Sequence, residues 1–172
     1  SVEMDSASTQ SSGIAFNPMP LTVRLGLLSS LILFYLADQS VKSSIRQYLP
    51  VGETIPLVQD WLHLTHVKNT GMAFSLFHNF PNGLLWINGL LFLVLFAVAL
   101  FYKSMTRGVL ISLCLILGGA LGNLHDRWVD GHVTDFIDVI IIHYPVFNLA
   151  DIFICTGVGL LLLKIAKGSF QS

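Results

Sequence analysis

The sequence predicts a helical membrane protein, a bundle of four transmembrane helices with a small extracytoplasmic β-sheet between the first two. Three observations carry that expectation. Mean hydropathy is +0.72 over 172 residues, with 53% hydrophobic and 11% charged residues. The apolar residues gather in long blocks instead of alternating with polar ones, and a bilayer crossing needs about 20 mainly apolar residues. The stretch NLHDRWVDGHVTDFIDVIIIHYPVFNLAD, residues 123–151, places five aspartates between two such blocks. A carboxylate near hydrocarbon costs on the order of 2.5 kcal/mol or more, so these acids need a task.

Taken in order, the Ser-rich residues 1–20 lack periodicity and read as a flexible tail, as do 169–172, leaving 21–168 as one integral membrane domain. The first helix is expected at about 21–38. Its central run, Leu25 to Ala37, also fits a signal-peptide core, but no small-x-small site follows it. Extension back to Leu21, with Arg24 reaching out to the interface, gives a full crossing. Residues 41–83 alternate turn signals (Pro50-Val51-Gly52, Asn69-Thr70-Gly71, 79–83) with β-prone pieces such as Trp61 to Val67, which reads as a sheet on the outer surface. Helices at about 84–102, 108–124 and 146–164 follow. In the third, Gly118 and Gly122 form a G-x-x-x-G spacing that lets a second helix approach closely.

Lys103 and Arg107 crowd the loop between the second and third helices, and Lys164 and Lys167 follow the fourth, which marks those ends as cytoplasmic. Both termini then lie inside, with residues 39–83 and 125–145 on the outer face. Every acid except Glu3 and Asp5 falls in or beside those outer segments, so the chemistry is expected there. Cys114 and Cys155 lie inside apolar runs and read as packing residues. A net charge of −1 without a basic cluster argues against nucleic acid as partner. A monomer is expected, since no apolar surface is left over for a second subunit.

Asn123 and Asp126, and likewise Asn148 and Asp151, are spaced to share a helix face. Blander readings exist: Asn148 suits a helix N-cap, and Asp126 suits a charge pair with Arg127. Asp151 lies well inside the last apolar run, where lipid offers no partner, so it must face the bundle interior. Across from it, Val133-Thr134-Asp135-Phe136-Ile137-Asp138 supplies an acid flanked by apolar residues. Two carboxylates in a low-dielectric site cannot both ionise easily; they share a proton, one taking a proton from water while the other polarises a carbonyl. At the end of the first helix, Asp38 and Lys42 form an i, i+4 pair if the helix continues; otherwise Asp38 ends it at the interface.

Other chemistries fit less well. His63, His66, His125, His132 and His143 show no H-E-x-x-H or comparable ligand spacing, so neither a metal nor any other cofactor is expected. There is no G-x-S-x-G, and Lys68 with Ser75 is no recognised dyad. A proton- or cation-coupled transporter relay through Asp38, Asp126 and Asp151 would need polar groups in both halves of the bilayer, and the inner halves of helices two and three offer almost none. A structural scaffold leaves Asp151 unexplained.

Five motifs in order resemble the bacterial lipoprotein signal peptidases, the signal peptidase II family: Asp38-Gln39-Ser40-Val41-Lys42; Lys68 to Ser75 (KNTGMAFS); Gly118 to Arg127 (GGALGNLHDR); Val133 to Asp138 (VTDFID); and Phe147 to Asp151 (FNLAD). The resemblance implies an inner-membrane aspartyl peptidase that removes signal peptides from prolipoproteins whose lipobox cysteine carries a diacylglyceryl group. By the same resemblance Asp135 and Asp151 are the catalytic pair, with Asp38, Lys42, Asn69, Gly71, Asn123, Asp126, Arg127 and Asn148 as the polar surround. Spacing alone leaves Asp126 a rival for the first catalytic place, and Asp135 is favoured. Asp138 is expected to be a structural or capping acid. Substrate prolipoproteins and membrane phospholipid are the partners implied, and inhibition by globomycin is a family expectation. Extended segments 60–67 and 68–77 are expected to hold the substrate strand, with Asn69 and Arg127 aimed at its carbonyls. His125 departs from the family pattern, which usually has an apolar residue there.

Overall fold

The computed structural model of the protein describes residues 20–71, 83–101 and 105–168. The expected tails 1–19 and 169–172, the Met72-to-Ser75 part of the second motif, most of the 79–83 turn signal and Lys103 lie outside the described residues.

Four helices are long and apolar enough to cross a membrane: α1 (Leu21–Tyr48), α2 (Gly83–Phe101), α3 (Arg107–Val129) and α4 (Leu149–Ala166). Their outward residues, such as Leu90, Leu93 and Leu162, are 60–65% exposed, a surface suited to lipid and not to water. The middle of the bundle belongs to α3: 56% of its apolar window is buried, against 6% for α2 and 11% for α4. Leu27 and Leu31 of α1 pack with Val109, Leu113 and Leu117 of α3 in one apolar cluster.

Small residues set how near the helices come. A Cβ on Gly118 would strike Phe34 of α1, and one on Gly119 would collide with the Ala150 carbonyl of α4. Gly157 of α4 answers from the other side, where a Cβ would sit 2.6 Å from the Ser112 carbonyl oxygen. The expected close-approach motif therefore serves two helices at once. Cys114 is buried as a packing residue, whereas Cys155 is exposed on the outward side of α4, against expectation.

The helix α1 does not stop at Asp38 but continues to Tyr48. Asp38, Lys42 and Ile45 form its buried stripe there, so the charges meet protein instead of lipid and the helix has no interface to end at. Beyond it lie β1 (Thr54–Val58) and β2 (Leu62–Asn69), the expected sheet, joined by a third antiparallel strand that was not among the expected elements: β3 (Val133–Val139), from between α3 and α4. Val67 pairs with Asp135 and Asn69 with Val133. After a 3₁₀ turn at Ile140–Ile142, the chain doubles back. Phe147 accepts from Ile137 N at 2.8 Å and donates to its oxygen at 3.0 Å, which sets Asn148 beside the middle of β3.

Candidate active site

Asn148 is the N-cap of α4 in a reciprocal capping box. Its side-chain oxygen accepts from Asp151 N at 3.0 Å, and Asp151 Oδ2 accepts from Asn148 N at 3.1 Å. The cap reading is thus correct, and incomplete. The Asn148 amide also donates to Asp135 Oδ1 at 2.6 Å and to Asn123 Oδ1 at 3.1 Å. One buried residue therefore holds both carboxylates, Asp151 through its backbone N–H and Asp135 through its side chain.

Asp135, 2% exposed on β3, has its other oxygen bound by Asn69 Nδ2 at 2.8 Å. Asn69 can aim that nitrogen because its oxygen is engaged locally, accepting from Gly71 N at 2.8 Å in a turn that Gly71 closes at φ +74. Burial pushes the Asp135 carboxyl up to about 6, aided by the neighbouring Asp151 charge and opposed by the Asn69 and Asn148 hydrogen bonds. Asn69 Nδ2 thus binds a carboxylate, a contact additional to the expected role toward substrate.

Asp151, half-buried, is bound on Oδ1 by Asn123 Nδ2 at 2.8 Å. The Asn123 oxygen in turn accepts from Lys42 Nζ at 2.9 Å. Lys42 is fully buried and reaches Asp38 Oδ2 at 2.8 Å and Asp126 Oδ2 at 3.1 Å. Asp38 then accepts from Ala150 N at 2.9 Å, capping α4 from another helix. Gly122 leaves room for this, since a Cβ there would strike the Asp38 carboxylate. Asp38 and Lys42 are thus internal struts, not an interfacial anchor.

Asp126 is fully engaged. Gln39 Nε2 donates to it at 2.9 Å and Thr134 N at 3.0 Å, and the Arg46 guanidinium lies 3.6 Å away. These donors and Lys42 occupy both oxygens of a carboxyl that is 1% exposed, so the surroundings of Asp126 are those of a charge-paired packing group. Arg46 lies outside the five motifs, and Gln39 stands in the first of them without an assigned role. Their spacing with Lys42 (39, 42, 46) along α1 was the available signal. Arg127 donates to Asn123 O at 3.4 Å and feels the charges of Asp151 and Asp135. Asp138 does not cap a helix; it accepts from Thr65 Oγ1 at 2.7 Å across the sheet. His125 accounts for its own departure from the family pattern by bonding Tyr35 OH at 2.6 Å, and His66 Nδ1 bonds the Leu49 oxygen at 2.6 Å, tying β2 to the end of α1.

Two grooves flank the carboxylates. Asp151 opens onto one of about 520 Å³ between residues 144–147 and α4. Asn123 and Arg127 open onto another of about 250 Å³ between α2, α3 and α4.

Membrane-spanning helices with a buried polar cluster at one end define the class, an integral membrane protein with a polar site at the end of its bundle. The pattern of the family described as Signal peptidase (SPase) II matches residues 30–167. The chain is 43% identical to the lipoprotein signal peptidase of Nostoc punctiforme over 89% of its own length and 94% of the relative's. With that of Brevibacillus brevis it shares 40% identity over 74% and 86%. A bacterial membrane enzyme solved by the in meso method has the same fold, with a TM-score of 0.73 at 24% identity, covering 87% of this chain and 96% of that one. The chain belongs to the signal peptidase II family and is a protease.

Proposed function

We propose that this protease cleaves the signal peptide from diacylglyceryl-modified prolipoproteins on the amino side of the lipidated cysteine, with Asp135 and Asp151 as an aspartyl pair. The observation that carries the reading is Asn148, which donates to both carboxylates at 2.6 and 3.1 Å and so holds them to one reacting position. Asp135 is the acid, since its carboxyl retains a proton up to about pH 6. Asp151, supplied with donors by Asn123 and Asn148 and facing the Arg127 charge, is the base.

In the forward step Asp151 takes a proton from water as the water oxygen adds to the scissile carbonyl carbon. Asp135 gives its proton to the carbonyl oxygen. In the resulting diol one hydroxyl returns its proton to Asp135, the C–N bond breaks, and the leaving amine takes the proton held by Asp151. No covalent enzyme intermediate forms.

Orientation follows the basic residues. Arg24, Arg107, Lys164 and Lys167 gather at the helix ends opposite the cluster, which supports cytoplasmic termini and aspartates at the outer face of a bacterial inner membrane. The protein acts as a monomer among membrane phospholipids, and globomycin inhibits it.

The test is cleavage of a diacylglyceryl-cysteine lipobox peptide by purified protein in the presence of a chelator. Asp126→Asn retains turnover, while Asp135→Asn and Asp151→Asn each lose at least about a hundredfold. Undiminished turnover by either of the last two, or dependence on a metal, overturns the assignment.

A further inference from the structure

The helix α2 has a mean window hydropathy of 2.6 and one side chain out of keeping with it, Asn88. Among the described residues its amide has no hydrogen-bond partner. An amide left unsatisfied in hydrocarbon costs several kcal/mol, so a helix with this composition carries it for something that arrives later. Its position says where. Asn88 lies five residues inside the outer end of α2, about 7–8 Å down the axis, and lines the 250 Å³ groove together with Asn123 and Arg127. Asn123 spends its Nδ2 on Asp151 at 2.8 Å and Arg127 donates to the Asn123 backbone oxygen, which leaves Asn88 as the amide at that end with no partner among the described residues. Below them it is apolar, walled by Leu91, Leu95 and Ile116.

The lining chooses among occupants: the groove is polar only at the end carrying Asn88, Asn123 and Arg127 and apolar along the rest, which suits a molecule with a polar acceptor at one end and an apolar tail. An acyl ester offers the matching chemistry: a carbonyl oxygen that only accepts, followed by a chain that only packs.

We infer that Asn88 is a specificity residue that donates a hydrogen bond to an ester carbonyl of the substrate's diacylglyceryl group, with that group's acyl chain in the groove between α2, α3 and α4. The inference rests on the lipoprotein reading above. The geometry connects the two, because the same groove ends at Asn123, which holds Asp151 at 2.8 Å. A lipid seated there brings the cysteine backbone to the carboxylate pair. Asn88 acts on binding and not on the chemical step, as it touches neither aspartate.

The test compares two lipobox peptides, one carrying the natural ester-linked diacylglyceryl cysteine and one carrying the ether-linked dialkyl analogue, which lacks the carbonyls. Asn88→Leu is the perturbation, since leucine fits a lipid-spanning helix, and Asn88→Gln keeps the amide. With the ester substrate Asn88→Leu raises KM about five- to tenfold with kcat within about twofold, the worth of one hydrogen bond, and Asn88→Gln recovers part of the loss. With the ether analogue the wild type and Asn88→Leu are alike. An unchanged KM for the ester, or an equal loss on both substrates, overturns the role of Asn88 while leaving the peptidase reading intact. A wild-type protein that cuts neither peptide overturns both.

Discussion

Lys42→Met separates the architecture from the chemistry. The Lys42 ammonium is fully buried, 2.8 Å from Asp38 and 3.1 Å from Asp126. At an effective dielectric near 20 these contacts are worth roughly 6 and 5 kcal/mol of attraction before desolvation is subtracted. Methionine fills the same volume but leaves Asp38, 0% exposed, without a counter-charge and Asp126, 1% exposed, with only the Arg46 guanidinium at 3.6 Å. Removing one partner of a buried ion pair costs about 3–5 kcal/mol. For a chain of this size that corresponds to a fall in Tm of about 6–20 °C. The assay is thermal unfolding in detergent, followed by the fluorescence of the three tryptophans. The triple variant Asp38→Asn, Lys42→Met, Asp126→Asn carries no unpaired charge and should regain most of the loss, a non-additivity expected of groups in one network. Lys42→Met melting within about 2 °C of wild type, or a triple variant as weak as the single, would refute the view that the three residues act as one buried charge network.

Further outcomes follow from the same geometry. Asp135 binds its proton more tightly folded than unfolded, its carboxyl being raised from 3.8 to about 6, so the stability it lends is complete below pH 3.8 and lost as pH rises through about 6. The basic limb of kcat/KM should fall in that same region, and a flat profile from pH 5 to about 8 would contradict Asp135 as the acid. Asn69→Ala removes a bond that lowers the Asp135 carboxyl, so the basic limb should move upward in pH while Asp135→Asn shows none, and a downward move would count against the Asn69 contact. Gly157→Leu forces a side chain against the Ser112 carbonyl and Ile116, separating α4 from α3. It should lower stability by about 1–3 kcal/mol with activity reduced in proportion to folded protein, as read by melting and turnover on one sample.

Much of the bundle was legible because lipid-spanning helices need unbroken apolar runs. The boundaries failed where charge was internal. Asp38 looked like an interface residue by sequence, yet its partners Lys42 and Ala150 N are protein groups, so α1 runs on to Tyr48. The strand β3 was missed for a different reason. Its partner β2 lies before α2, and a pairing such as Val67 with Asp135 leaves no local mark on either segment. The motif resemblance named the candidate site residues, and five of the acids and amides do converge on Asn148 and Lys42. What spacing did not tell was their division of labour: Asp126 surrounded by Gln39, Arg46 and Thr134, and Asn69 turned onto Asp135.

The reciprocal cap at Asn148 and Asp151 has a practical consequence for anyone wishing to learn what this protein processes. Asparagine at position 151 keeps an oxygen to receive the Asn148 N–H, so α4 still begins where it should, while the carboxylate charge is gone; alanine would fray the first turn as well. Asp151→Asn is therefore the better bait. Expressed in cells, it should retain uncut prolipoproteins in its grooves and bring them through detergent extraction, turning an inert enzyme into a census of its own clients.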